Sequence, residues 1–417
     1  MIQRIKIILA AIMLCLLVNA FSYASPRKQL KTGIWRATLE IQGLQLPFNF
    51  NVVTDHSGGY DIYIMNAEER LLLDEVNIKD DSINIVLHIF DANIKARIHG
   101  DSLTGVFVKN YEQNYHVPFQ AVYGQTYRFE LPTNTPEKQE PDYSGKYSVQ
   151  FIHEADTSAA IGVFKQQGNH VTGTFLTPTG DFRYLEGNVI NSSLHLSAFD
   201  GNHAYLFTAI KQPDGTLLGE FYSGQTWTEF WSAEKNENAS LPDPESLTYL
   251  KAGYDHIEFT FPDVKGKKVK FPDPRYNGKV VILQIFGTWC PNCMDETVFM
   301  SGWYNANKMR GVEVVGLAYE RKSDFSYASS RVSKMIDKLK VPYNFVIAGT
   351  NDKDKASETL PMLNRVMAFP TTIIIGKDGK VRSIHTGFSG PGTGFYYDQY
   401  VERFNETINV LLNENVN

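Results

Sequence analysis

Cys290 and Cys293 stand two residues apart in Phe286-Gly287-Thr288-Trp289-Cys290-Pro291-Asn292-Cys293. Two thiols at that spacing can exchange electrons with a disulfide. The thiolate of one attacks a disulfide sulfur, and the other thiol then resolves the mixed disulfide. The same spacing suits half of a zinc site, but a structural zinc takes four Cys or His ligands. The one remaining cysteine, Cys15, lies in a segment expected to be removed, and no His is close in sequence to the pair. Redox chemistry is therefore the expected use of the pair.

The elements on either side set the roles of the two sulfurs. Val280-Val281-Ile282-Leu283-Gln284-Ile285-Phe286 is apolar except for one Gln and reads as a fully buried strand of a parallel sheet. Residues 294–309 read as a helix, with Pro291 compatible with the first helical position. A cysteine at the start of that helix meets free backbone N–H groups and the positive end of the helix dipole, which favour thiolate. Cys290 is the expected nucleophile. Cys293, inside the first turn, is the expected resolving thiol.

A second motif lies far downstream: Ala368-Phe369-Pro370-Thr371-Thr372, then Ile373-Ile374-Ile375 and Lys377-Asp378-Gly379-Lys380. Together the two motifs resemble those of the thioredoxin-fold TlpA/ResA-like thiol-disulfide oxidoreductases, in the family's order and with a βαβ pattern between them. The resemblance covers the chain from about residue 254 to the end. It implies a C-terminal α/β thioredoxin-like domain and Pro370 as a cis proline. It also implies a substrate surface made by Trp289, Pro291, Phe369 and Pro370, where the Phe369 backbone pairs with an extended client segment.

Many thioredoxins carry a buried Asp six residues before the first cysteine. Gln284 stands there and cannot titrate. The TlpA/ResA-like branch places a Glu three residues after the second cysteine, a role that falls on Glu296, with Asp295 as its neighbour and competitor. The branch's Pro shortly after that Glu is replaced by Thr297-Val298. The resemblance implies no cofactor and no metal. It implies disulfide-bearing exported proteins as clients and a membrane thiol reductant as electron donor. Two other readings stand beside it. One is a peroxiredoxin-like peroxidase, although Thr288 lies only two residues before Cys290 where that context wants three. The other is an envelope binding module with an auxiliary redox domain.

The rest of the chain is organised around β structure. Residues 1–24 carry Arg4 and Lys6, an apolar run over 7–18 and Ser22-Tyr23-Ala24, and read as a signal peptide. Export to the periplasm or cell envelope of a Gram-negative bacterium follows as the expected location. Without Arg4 and Lys6 there are 38 Lys and Arg against 46 Asp and Glu, a net charge of −8, which argues against nucleic acid or an anionic membrane as partner.

Residues 26–130 and 142–235 show strand alternation broken by turn signals such as Ser57-Gly58-Gly59. Gly33-Ile34-Trp35, Phe90-Asp91-Ala92 and Leu103-Thr104-Gly105 match Gly145-Lys146-Tyr147, Phe199-Asp200-Gly201 and Leu217-Leu218-Gly219. Two all-β repeat units, sandwiches or barrels, are expected. Polar linkers over 131–141 and 236–253 separate them from each other and from the thioredoxin-like domain at 254–417. The aromatics Trp227, Phe230 and Trp231 are candidates for core packing or for a ligand surface. Within the C-terminal domain helices are expected over 356–366 and 397–412.

Overall fold

The computed structural model describes residues 29–132 and 140–415. The expected signal peptide with Cys15, and the middle of the first linker, lie outside the described residues. Among them, no helix is long and apolar enough to cross a membrane.

Each β unit is one antiparallel sheet of nine strands curled into a barrel-like form. In the first, Gly33–Ile41 pairs with Leu44–Thr54 on one side and with the unit's last strand, His116–Tyr123, on the other. In the second, Gly145–His153 pairs in the same way with Asp156–Gln167 and with the last strand, Trp227–Lys235. There Asp156–Gln167 also pairs with His170–Thr177, which closes the sheet on itself. Alternation drives both. In Gly33–Ile41 the buried side chains are Trp35, Ala37, Leu39 and Ile41, so every second residue points inward. Trp231 is core, whereas Trp227 and Phe230 face outward.

The two units share apolar packing. Phe199 of the second lies 4.6 Å from Phe48 and 5.0 Å from Phe107 of the first, ring centre to ring centre, and is fully buried. Burying an aromatic side chain of that size stabilises the junction by about 1.5–3 kcal/mol.

The C-terminal domain holds a five-stranded mixed sheet in the order Asn344–Thr350, Val312–Glu320, Val280–Phe286, Thr371–Ile375, Val381–Thr386. The first three strands are parallel and the last two antiparallel to their neighbours. Every residue of Val280–Phe286 is buried, Gln284 included. Helices Pro291–Asn307, Phe325–Leu339 and Phe395–Asn413 pack on this sheet. The helix expected over 356–366 is instead the short Lys353–Thr359. Pro361 cannot continue a helix and pushes the residue before it out of helical geometry, and Leu360 sits at φ −127°, ψ 66°.

The segment over 236–253 connects the domains without hanging free. Ala239 and Thr248 are buried, Lys251 N–H donates to the Met362 carbonyl at 2.8 Å, and the Pro244 carbonyl accepts from Thr386 N–H at 3.1 Å.

Candidate active site

The turn from strand to helix is fixed before any cysteine is reached. A side chain at Gly287 would meet the Trp289 ring nitrogen at 2.1 Å and the Tyr319 carbonyl at 2.6 Å, so only glycine fits. Thr288 donates from its backbone N–H and its hydroxyl to the two oxygens of buried Glu320, at 2.9 and 2.8 Å. Trp289 Nε1 donates to the Tyr319 carbonyl at 2.8 Å. The turn is thereby fastened to the end of the neighbouring strand Val312–Glu320. Burial raises the Glu320 carboxyl above its ordinary value against the pull of these bonds.

Cys290 caps the helix Pro291–Asn307, its sulfur accepting from Cys293 N–H at 3.2 Å. Cys290 and Cys293 form a disulfide with their Cα atoms 5.2 Å apart. Cys290 retains 6 % exposure and Cys293 none, so of the pair only the first cysteine has surface open to solvent. Cys290 Sγ lies 3.3 Å from the Phe369 carbonyl oxygen, and the Phe369–Pro370 bond is cis. The rings of Trp289 and Phe369 meet edge to face at 5.5 Å. Residues 80 positions apart in the chain thus converge on one sulfur, with Trp289, Phe369 and Pro370 around Cys290.

Glu296 lies one turn beyond Cys293 on the same helix, fully buried. Its carboxylate accepts from Thr372 Oγ1 at 2.7 Å, Gln284 Nε2 at 2.9 Å and Tyr400 OH at 3.4 Å. Gln284 is held in turn by Tyr343 OH at 3.0 Å and donates also to Thr297 Oγ1 at 3.1 Å. Gln284, six residues before Cys290, is therefore a direct partner of Glu296. Burial pushes the Glu296 carboxyl up to about 7, although Thr372, Gln284 and Tyr400 pull it down.

A carboxyl raised in this way costs the fold nothing when protonated and destabilises it when ionised. Its effect is absent below the unfolded value near 4.5, grows as pH rises, and is complete above about 7. Glu296→Gln should therefore gain stability over the wild type between pH 5 and pH 8, on the order of 2–3 kcal/mol. Urea unfolding of the two reduced proteins at both pH values checks this. A wild type-to-variant difference that is the same at both would exclude the raised carboxyl.

Asp295 faces the other way, and its partner comes from the second β unit. Arg183, buried, is ion-paired with Asp295 and with Glu69 of the first unit, and its Nε lies 3.9 Å from Asp200. Its Nη1 also donates to the Pro291 carbonyl at 3.1 Å. Beside it Asn292 Nδ2 donates to the Asp181 carbonyl at 3.3 Å, and Asp181 Oδ2 accepts from Gly390 N–H at 2.7 Å. Burial works against the Arg183 charge, but Asp295, Glu69, Asp200 and Asp181 hold its pKa above normal. Burial and the other three carboxylates push Asp295 up to about 7 against the pull of Arg183.

Pro291, expected on the substrate surface, is buried, and its carbonyl is taken by Arg183 of the second β unit. Neither this clamp nor Glu320, Thr372, Tyr343 and Tyr400 was among the residues expected from the sequence. Asp74, Glu75 and His88 also approach one another. Lys338 pairs with both carboxylates there and Lys334 with Glu75.

A family model described as AhpC/TSA family matches residues 252–384. The thiol-disulfide oxidoreductase ResA of Bacillus thuringiensis subsp. konkukian is 30% identical over 132 residues, covering 32% of this chain and 68% of that protein. ResA of Geobacillus kaustophilus is 30% identical over 140 residues, covering 34% and 72%. Among solved structures, a putative thiol:disulfide interchange protein DsbE from Chlorobium tepidum is 20% identical and covers 37% of this chain and 98% of its own, with a TM-score of 0.28.

Proposed function

We propose that this chain, which belongs to the ResA family of thiol-disulfide oxidoreductases, is an exported enzyme that reduces or exchanges disulfides in client proteins. The observation that carries this is the pairing of one reachable sulfur, Cys290, with one fully buried sulfur behind it, the reachable one lying against the Phe369 carbonyl.

In the reduced enzyme the Cys290 thiolate, favoured by the Cys293 N–H and the helix start, attacks one sulfur of a client disulfide lying extended along Phe369. A bond forms between Cys290 and that sulfur, and the second client sulfur leaves as a thiolate that takes a proton. Cys293 then gives its proton to Glu296 and attacks Cys290 Sγ. The enzyme disulfide closes and the remaining client thiol is released, two electrons having passed from the cysteine pair to the client. A thiol reductant at the membrane restores the pair. Residues 1–24 support export, and the mass of the protein recovered from the envelope fraction tests it, cleavage after Ala24 being expected.

Thiol trapping of Cys290 and Cys293 in cells reads the direction of electron flow. A mostly reduced pair is expected for a reductase, and a mostly disulfide pair would assign the oxidising direction instead. Reduced enzyme that leaves every protein disulfide intact in vitro would exclude the proposed activity.

A further inference from the structure

Two cations, Lys109 and Arg321, stand beside the thiol site. Arg321 directly follows Glu320, the residue that holds Thr288, and so emerges next to the active-site turn. Its guanidinium lies 3.8 Å from the centre of the Tyr111 ring and 5.4 Å from that of Trp289, the neighbour of Cys290. One of its amino groups donates to Asn202 Oδ1 at 3.1 Å, and the same oxygen accepts from Tyr111 OH at 3.2 Å. Its Nε is buried and has no hydrogen-bond partner. Lys109 stands over the Tyr115 ring at 4.5 Å and the Tyr111 ring at 6.0 Å.

Both cations are therefore held on aromatic faces, where the ring quadrupole favours a positive charge. Among the described residues neither forms an ion pair. The buried acid Asp200 is already committed to His203, Asn202 and Arg183. Glu320 has both oxygens engaged by Thr288. Burial pulls the Lys109 ammonium down to about 8, and the Arg321 charge adds to the shift, whereas Glu112 and Asp200 oppose it.

Two cations on a fixed aromatic ledge, neither in an ion pair among the described residues, form a seat for an anion. Tyr111, Tyr115 and Lys109 come from the first β unit and Asn202 from the second, so the seat exists only where those units dock on the thioredoxin-like domain. Arg183 and Asp181 take up Pro291 and Asn292, the residues that follow Cys290 into the helix. The ledge adjoins Cys290 through Trp289, over whose ring Arg321 stands.

We propose that Lys109 and Arg321 form a client subsite that takes a carboxylate, selecting disulfides whose flanking residues are Asp or Glu. This rests on the thiol-exchange reading above and names the client chemistry that the β units add to it.

The test uses the full reduced protein and three disulfide peptides that differ only in the residue beside the cysteines, Glu, Gln or Lys. The expected order of kcat/KM is Glu, then Gln, then Lys, with Glu about tenfold above Gln at low salt and the gap narrowing as salt screens it. The reading is the ratio of Glu to Gln peptide, which a general loss of folding or of thiol reactivity does not move. Lys109→Met and Arg321→Gln should each bring that ratio close to one, mainly through KM for the Glu peptide, and Lys109→Arg should retain it. Equal rates for Glu and Gln peptides with the wild type, or a ratio unchanged in both Lys109→Met and Arg321→Gln, would overturn the subsite while leaving thiol exchange intact. Failure to reduce any of the three peptides would remove the thiol-exchange reading and this proposal together.

Discussion

Replacing Cys293 by serine is expected to stop turnover at the mixed disulfide and to leave clients covalently joined to Cys290. Cys290 is the sulfur with exposure, and it accepts the Cys293 N–H at the helix start, so its attack on a client needs nothing from the Cys293 side chain. Resolution does need it, because no other described thiol is available and a serine hydroxyl neither ionises near neutral pH nor forms a disulfide. The adducts should be visible on non-reducing gels of cell extract and should vanish on adding a thiol reagent. Multiple turnover should fall below detection. Cys290→Ser should give no adducts at all, since Cys293 is wholly enclosed. Adducts of equal abundance in the two variants would reverse the assignment of nucleophile and resolving thiol. An absence of adducts in folded Cys293→Ser would point to peroxide or binding chemistry.

What the sequence made legible were the parts whose cause is local. Val280–Phe286 is buried throughout because a strand in the middle of a covered sheet has apolar neighbours on both faces, and its composition says so. Cys290 at the helix start follows from a few adjacent residues, whereas the cis-proline loop at Phe369-Pro370 came through the family resemblance. Glu296 came through the family resemblance, which places a Glu three residues after the second cysteine, and it is hydrogen-bonded to Gln284. Pro361 was equally local, and its power to end the helix at Thr359 is a signal the periodicity obscured.

The β alternation marked strands in both units, but closure of the second depends on Asp156–Gln167 pairing on both of its edges, which a period of two does not encode. Arg183 was illegible for a related reason. In Asp181-Phe182-Arg183-Tyr184 it reads as one solvated charge among many, and its partners Asp295 and Glu69 lie 112 and 114 residues away. Only the docking of three domains gathers those carboxylates.

The second large effect is expected at Glu296. Attack by Cys290 starts from a thiolate already stabilised at the helix start, so it has no need of a base. Resolution starts from Cys293, a thiol enclosed on all sides, and its proton must go to a group inside the protein. Glu296 lies one turn along the same helix, and burial raises it to about 7, so near neutral pH it is available both to take a proton and to return it. Its hydrogen bonds from Thr372, Gln284 and Tyr400 fix the carboxylate, and among the described residues no cation pairs with it. Asp295 is raised to a similar value, but it is bound to Arg183 and turned toward the β units. Glu296→Gln keeps the shape of the side chain and removes the proton acceptor. Release of the mixed disulfide should slow by roughly ten- to a thousand-fold, within or just below the usual reach of general-base catalysis. Alkylation of Cys290 should change far less. The wild type should also resolve faster as pH rises through about 7 and the carboxylate forms, and the variant should lose that inflection. Asp295→Asn, which weakens the tie to Arg183, should lower stability and leave the inflection in place. Single-turnover reduction of a disulfide peptide across pH separates the three proteins. Coincident profiles for wild type and Glu296→Gln would assign the Cys293 proton to another acceptor.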